Sequence, residues 1–182
     1  MKPWRILSRE LLIDRRWLRV YQERAQLSNG HTIEDFHLVE TPPWVAVVAL
    51  TALGELVFVD QYRRGLDGLS RELPAGVIEP GEAPLVAARR ELLEETGHAA
   101  EEWLPLGIVA PEPSRSTSRA HLFFARGAHR VAAQRLDDSE EVSVHLVPVA
   151  EALRGLEEGL VVHGTHIGAL LLAERRGLLD AK

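Results

Sequence analysis

Cysteine is absent from this chain, which excludes disulfide bonds and thiolate metal sites and leaves the redox compartment open. Lysine is nearly absent as well, because Lys2 and Lys182 are the only two and arginine provides the remaining basic residues. No apolar run approaches the roughly 18 residues of a membrane-spanning helix, so we expect no membrane partner. The N-terminal segment lacks the continuous apolar core of a signal peptide, and we therefore expect a cytoplasmic protein.

The charge balance is acidic, with 27 Asp and Glu against 21 Lys and Arg and a formal net charge of −6. General nucleic-acid binders present a basic surface to the phosphates, so we expect no nucleic-acid partner. Hydrophobic residues make up 46% of the chain and charged residues 26%, which is typical of a globular protein. The length of 182 residues predicts one ordinary domain with its own core.

Apolar and polar residues alternate at the start of the chain with the period of two that is typical of half-buried strands. The Asn29-Gly30 pair favours a tight hairpin turn between two of these strands. Later segments have continuous apolar runs or helical spacing. The predicted strands are 4–13, 16–27, 32–40, 44–50, 56–62, 103–110, 120–125 and 142–147, and the predicted helices are the second half of 76–98, 150–158 and 165–176.

Residues 76–98 contain the most specific pattern in the chain. Five residues separate Gly76 from Glu82, and seven more separate Glu82 from Arg90. The pattern is completed by Glu91, Leu92, Glu94, Glu95 and Gly97. Good helix formers occupy its second half, and the last glycine is a stop signal for a helix.

Three carboxylates of this helix, those of Glu91, Glu94 and Glu95, stand at i, i+3 and i+4 and should project from one face. Like charges at this spacing repel by about 0.2–0.5 kcal/mol per pair, and a bound divalent cation would reverse that cost. A solvated acidic helix face is the alternative explanation. The fixed spacing of the residues before the helix favours the cation site.

The pattern GX5EX7REUXEEXGU, in which U is a bulky apolar residue, is the signature of the Nudix hydrolases, and residues 76–98 resemble it at every position but the last. His98 stands at that last position, and we interpret it as a local packing change. The resemblance implies the Nudix fold, an α/β fold in which a mixed β-sheet is sandwiched between helices (α/β/α), with an N-terminal β extension. The expected boundaries are 1–40 for the N-terminal strands and 41–182 for the Nudix domain.

The same resemblance implies a magnesium site, with manganese as the alternative metal. Its implied ligands are the Ala75 carbonyl and the carboxylates of Glu91, Glu94 and Glu95, and oxygen ligands of this kind suit hard cations. Gly76 allows the sharp turn that points the preceding carbonyl at the cation. Supporting roles are implied for Glu82 and Arg90, which pair in the family and hold the loop against the helix.

Two further segments resemble the ADP-ribose and ADP-sugar pyrophosphatase branch. Gln61-Tyr62-Arg63 followed by Glu72–Gly76 implies that Arg63 contacts a substrate phosphate, and an ion pair with Glu72 is the alternative. Pro113 falls 15 residues after His98, the end of the Nudix signature (the Nudix box), at the position where members that prefer ADP-ribose carry a proline. Ser118 stands about where those members have a glutamate, which leaves the substrate choice open.

An acidic loop at 136–141 precedes the last predicted strand. A solubilising turn would explain its charge. In ADP-ribose pyrophosphatases a loop at this place brings a glutamate into the site, and alignment on the following strand indicates Glu140, with Asp138 and Glu141 as alternatives. Glu140 would complete the metal shell or act as the general base.

The N-terminal strands resemble the extension that pairs with a second subunit in this branch, so we expect a homodimer; a cap on its own sheet is the alternative. The resemblance implies Mg²⁺-dependent hydrolysis of ADP-ribose to AMP and ribose 5-phosphate, with Glu91, Glu95 and Glu140 as the catalytic residues. Other substrates considered are FAD, NADH, other ADP- or GDP-sugars and dinucleoside polyphosphates. The third alternative is a nucleotide sensor that does not hydrolyse its ligand. The charged positions of the signature are all intact, which argues against this alternative.

Overall fold

The computed structural model describes residues 2–138 and 140–180 and divides them between two units. The first unit consists of the N-terminal segment up to Pro43 together with Ala110–Arg119. The second unit consists of Trp44–Val109 and the segment from Ala120 onward. No helix of the described residues combines the length and the apolar character needed to cross a membrane.

The first unit contains a three-stranded antiparallel sheet in the order β1-β2-β3. Its strands are β1 (Arg5–Arg15), β2 (Leu18–Gln26) and β3 (Thr32–Glu40). Gly30 has a φ of 89° in the turn between β2 and β3, a conformation that glycine adopts without a steric penalty. All three strands and the hairpin agree with the alternation in the sequence.

The second unit is built on an eight-stranded sheet whose central order is β11-β5-β4-β10-β8, with β6 paired to β5, β7 to β4 and β9 to β10. Its strands are β4 (Trp44–Thr51), β5 (Glu55–Arg63), β6 (Gly68–Glu72), β7 (Ala75–Val77), β8 (His98–Ala99), β9 (Glu102–Val109), β10 (Ala120–Arg130) and β11 (Val142–Pro148). β4 and β10 are parallel and the other pairs are antiparallel, so the sheet is mixed as predicted.

Helices cover both faces of this sheet. The helices are α1 (Pro84–Thr96), α2 (Val149–Glu157) and α3 (Gly164–Arg175). Alternate residues of β4 point to opposite faces, so that Val45 and Val47 pack with α1 while Ala46 and Val48 pack with α2 and α3. This arrangement confirms the predicted α/β/α fold class.

α1 is anchored through its apolar side and stopped by a glycine. Leu92 is fully buried against the sheet, and burial of a leucine contributes about 1.5–3 kcal/mol. Gly97 ends the helix in the left-handed conformation with a φ of 70°, and its N–H donates to the Leu93 carbonyl at 2.8 Å. The stop signal in the sequence therefore acts as predicted.

Three short strands have no counterpart in the sequence prediction, namely β6, β7 and β8. β7 and β8 have three and two residues, too few for a period of two to be recognised. β10 also extends to Arg130, beyond the predicted end at residue 125, because it pairs with β8 at its far end.

Candidate active site

The acidic face of α1 lies against β7. Glu91 and Glu95 are buried, with 8% and 4% of their surface exposed, although carboxylates are seldom buried without partners. The Ala75 N–H donates to Glu95 Oε2 at 2.9 Å. A Cβ added at Gly76 would overlap the Glu91 carboxylate, so only glycine leaves room for this side chain where it lies.

Arg90 joins the loop before α1 to the acidic face. Its guanidinium donates to Glu82 through two bonds of 2.9 Å and to the Val77 carbonyl at 3.0 Å. It also donates to Glu91 at 2.7 Å and to Glu94 at 3.2 Å. The hydrogen bonds that Arg90 donates to Glu82 lower the pKa of Glu82, and the same bonds contribute most to the raised pKa of Arg90. The structure thus brings together the two residues predicted to support the box.

Burial and mutual repulsion disfavour negative charge on the two buried glutamates. Burial makes the largest contribution to a raised pKa of about 8 for Glu95; the Ala75 N–H opposes it, and the charges of Glu91 and Glu140 act in the same direction as burial. Burial also raises the pKa of Glu91, and the hydrogen bond from Arg90 offsets only part of that effect. If Glu91 and Glu95 are both ionised, the surrounding protein groups therefore compensate their negative charges only in part.

Glu140 lies close enough to α1 for its charge to raise the pKa of both Glu91 and Glu95. Its side chain is exposed and accepts a hydrogen bond from the Asp137 N–H at 3.0 Å. Asp138 and Glu141, the two alternatives from the sequence, are exposed as well.

Arg63 forms the ion pair that the sequence analysis gave as its alternative role. Its Nε and one terminal nitrogen donate to the two oxygens of Glu72 at 2.8 and 2.6 Å. Glu72 is buried, whereas 43% of the Arg63 side chain is exposed. The charge of Glu95 also raises the pKa of Arg63, which places this guanidinium near the acidic face. A contact with substrate is compatible with this geometry and stays a prediction.

The oxygen donors of this face are of the kind that suits a divalent cation. Within residues 2–138 and 140–180, no three acidic or histidine side chains are arranged to enclose a metal ion. Arg90 and the Asp137 N–H hold Glu94 and Glu140. The buried pair Glu91 and Glu95 supplies hard oxygen ligands beside β7, and a cation would offset their repulsion. The chemistry of these oxygen donors therefore fits a divalent cation.

His166 of α3 is a neighbour of this site that the sequence analysis missed. It is 1% exposed, and its Nδ1 accepts a hydrogen bond from the Leu73 N–H at 3.2 Å. Its ring stacks on His163 at 4.1 Å between centroids, and Nδ1 lies 3.9 Å from Glu72 Oε2. A single histidine far from residue 73 in sequence belongs to no motif, so no local signal could have indicated this contact.

The remaining residues singled out in the sequence have simpler surroundings. His98 is buried, and its Nδ1 lies 2.9 Å from the Thr96 carbonyl, which agrees with a packing role. Pro113 lies in an exposed loop of the first unit, and its assignment to the substrate site stays a prediction.

Comparison with known proteins identifies the class to which this fold and site belong. Residues 40–165 match the NUDIX domain, and residues 4–39 match the nucleoside diphosphate sugar hydrolase N-terminal domain. The chain therefore belongs to the Nudix family of hydrolases, whose members generally use divalent metal ions.

The comparison also finds individual proteins that are similar to this chain over most of its length. The chain is 32% identical over 177 residues to the ADP-ribose pyrophosphatase of Bacillus subtilis (strain 168), covering 97% of this chain and 95% of the relative. It is 35% identical over 153 residues to the methanol dehydrogenase activator of Bacillus methanolicus, covering 84% and 82%. The crystal structure of an ADP compounds hydrolase shares the fold, with a TM-score of 0.84 at 23% identity over 98% of this chain and 97% of that one.

The close approach at Gly76 generates a first prediction. Gly76→Ala can be accommodated only if the Glu91 carboxylate, the end of a flexible side chain, swings away from β7. We expect a melting temperature near that of the wild type and a loss of hydrolytic activity on the order of a hundredfold, as for other small misplacements of catalytic groups. Thermal unfolding and an assay of nucleotide release measure the two effects.

Gly168→Ala on α3 is the matched control. A Cβ there meets no atom within 4 Å, and the substitution favours the helix by about 1 kcal/mol. Its activity should equal that of the wild type. Full activity of Gly76→Ala would contradict the proposed role of the Glu91 position.

The burial of His166 generates a second prediction. Burial lowers the pKa of His166 from its ordinary value of 6.5 to about 3, so the unfolded chain takes up a proton that the folded chain refuses. The contribution of His166 to the free energy of unfolding should therefore be largest above pH 6.5 and fall as the pH drops towards 3, while the raised pKa values of Glu91 and Glu95 act in the opposite direction. His166→Asn keeps an acceptor for Leu73 but does not titrate, and should therefore flatten this dependence.

Urea unfolding of both proteins at pH 7, 5.5 and 4 measures the effect. Burial also lowers the pKa of His98 and of His163, so part of the acid dependence should survive in the variant. Identical pH profiles for the two proteins would show that His166 is not held neutral.

Proposed function

We propose that this chain hydrolyses the diphosphate bond of ADP-ribose to give AMP and ribose 5-phosphate, with Mg²⁺ as the cofactor and Mn²⁺ as a substitute. The observation that supports the proposal most strongly is the pair of buried carboxylates, Glu91 and Glu95, beside Gly76. The names of the relatives support the choice of substrate, since the Bacillus subtilis protein is an ADP-ribose pyrophosphatase.

The cation would be held by the carbonyl of Ala75 and the carboxylates of Glu91, Glu94, Glu95 and Glu140. When bound, Mg²⁺ would neutralise the diphosphate and lower the pKa of a bound water. The remaining contributions come from the chain itself.

Each catalytic group has a residue that sets its position. Arg90 orients Glu91, and the Ala75 N–H orients Glu95. The buried Glu72 holds one edge of the Arg63 guanidinium through two hydrogen bonds, so that its exposed part is pre-organised for a substrate phosphate. We assign Glu140 the removal of the proton from the attacking water, because it lies on an exposed loop close to both buried glutamates.

A second candidate is hydrolysis of another nucleoside diphosphate-linked compound. The relative with 35% identity is described as a methanol dehydrogenase activator, so similarity at this level does not restrict the chain to one substrate. FAD, NADH, a GDP-sugar and a dinucleoside polyphosphate therefore belong in the substrate panel.

The central test compares the wild type with Glu95→Gln on this panel in Mg²⁺. We expect release of AMP from ADP-ribose at the highest kcat/KM, and a loss of at least about a hundredfold in Glu95→Gln because a metal ligand is removed. The variant should keep the melting temperature of the wild type, since Gln retains an acceptor for the Ala75 N–H and removes a crowded charge.

Glu157→Gln is the matched control, because Glu157 ends α2 in the second unit and has no role in the proposed site. A higher kcat/KM for FAD or a GDP-sugar than for ADP-ribose would show that ADP-ribose is not the preferred substrate. An active Glu95→Gln would show that the metal site is misassigned.

We also propose that two copies of the chain form a homodimer through the N-terminal sheet. Every residue of β1 is exposed, and within the described part of the chain β1 is an edge strand whose outer backbone groups pair with no other strand. The large apolar side chains exposed on β1 and β2 are Ile6, Leu7, Leu11, Leu12, Ile13 and Leu18. An apolar surface of this kind marks an interaction site, and a second copy covers it symmetrically.

Leu11→Glu tests the dimer, because a carboxylate in the centre of this surface would lose its water on association. We expect a dimer for the wild type and a monomer for the variant in sedimentation equilibrium. Leu53→Glu, at an exposed turn of the second unit, should remain dimeric. A monomeric wild type would contradict the proposal.

A further inference from the structure

The segment before the acidic loop runs along the C-terminal end of α1. The backbone N–H groups of Val131 and Ala132 donate to the Gly97 carbonyl at 2.9 and 3.2 Å, and the Arg135 N–H donates to the Glu94 carbonyl at 2.9 Å. The chain then leaves the helix, passes through the acidic residues and enters β11 at Val142. The segment that leads into the loop with Glu140 is therefore hydrogen-bonded to the C-terminal end of α1, the helix that carries Glu91 and Glu95.

The Gln134 side chain ties both ends of this loop to α1. Its amide nitrogen donates one hydrogen bond to the Glu95 carbonyl at 2.6 Å and a second to the Val142 carbonyl at 3.1 Å. The Glu95 carbonyl is among the last four of the helix, which have no partner within it. One neutral amide thus connects the start of the loop, the start of β11 and the backbone of a proposed metal ligand.

The chemistry of the amide matters at this place. A carboxylamide nitrogen carries two N–H donors, which match the two carbonyls. A cationic side chain would satisfy the same carbonyls, but it would add a positive charge close to Glu91, Glu95 and Glu140, where a cation is to bind. Gln134 makes the connection without changing the charge of the site.

We propose that Gln134 is a positioning residue for catalysis, which closes the base of the 135–141 loop on α1 and so holds the loop carboxylate over Glu91 and Glu95. The inference rests on the proposed function, because it requires the acidic loop to take part in hydrolysis. Gln134 makes no contact with substrate in this account and acts through the loop.

Gln134→Met is the test variant, since methionine preserves the length of the side chain and removes both donors without adding charge. We expect kcat to fall by roughly ten- to a hundredfold, the loss typical of a misplaced catalytic group, while KM stays within about twofold. A purely structural role would lower the melting temperature without such a selective fall in kcat.

Arg176→Met is the matched control. Arg176 also ties two backbone carbonyls with its side chain, donating to those of Pro105 at 3.0 Å and Leu106 at 2.7 Å. Its loss should lower the melting temperature and leave kcat unchanged. An equal fall in kcat for Arg176→Met would overturn the inference.

A double-mutant cycle separates positioning of the loop from every other effect. The second variant neutralises the loop through Asp138→Asn, Glu140→Gln and Glu141→Gln in one chain, so the cycle does not depend on which carboxylate acts. In that background Gln134→Met should change kcat by less than about twofold, because groups that act together are not additive.

The outcomes are distinct. Independent effects in the cycle, an unchanged kcat for Gln134→Met, or full activity of the neutralised loop would each overturn this inference while leaving the proposed function in place. A wild type that hydrolyses none of the substrates in the panel would contradict the proposed function, and the inference with it.

Discussion

The site depends on the burial of Glu91 and Glu95 side by side against β7. Two carboxylates in this environment resist ionisation, and the pKa of Glu95 rises to about 8 as a result. The protein balances only part of their charge, through Arg90 and the Ala75 N–H. A buried pair of carboxylates whose negative charge is only partly compensated lowers the stability of the fold, but it is suited to holding a divalent cation. This imbalance links the fold of the second unit to its chemistry.

The same short helix serves the core and the site through its two sides. Leu92 anchors α1 to the sheet, while Glu91 and Glu95 turn towards β7. Since β7 is itself hydrogen-bonded to β4 at the centre of the sheet, the proposed metal ligands lie between two elements that are anchored in the core. The acidic loop supplies a further proposed carboxylate, and Gln134 sets the point from which the loop leaves the helix.

The sequence predicted best what is local. The spacing from Gly76 to Gly97 indicated the helix, its end and the grouping of its acids, because all of these follow from the geometry of one turn and one helix. It named the pairing of Arg63 with Glu72 as one of two roles but could not choose between them, since both fitted the same residue. Gln134 and His166 were not singled out from the sequence because they hydrogen-bond to backbone groups of other segments. Such contacts produce no recognisable sequence pattern. β7 was missed for a related reason, as three residues are too few to show a period.

The most direct test of the central claim is a calorimetric titration of the protein with Mn²⁺ in the absence of substrate, repeated with a variant that combines Glu91→Gln and Glu95→Gln. The account predicts saturable binding to the wild type and its loss in the variant, with both proteins folded by circular dichroism. Equal binding by the two proteins, or no binding by the wild type, would contradict the claim that these two buried carboxylates form the metal site.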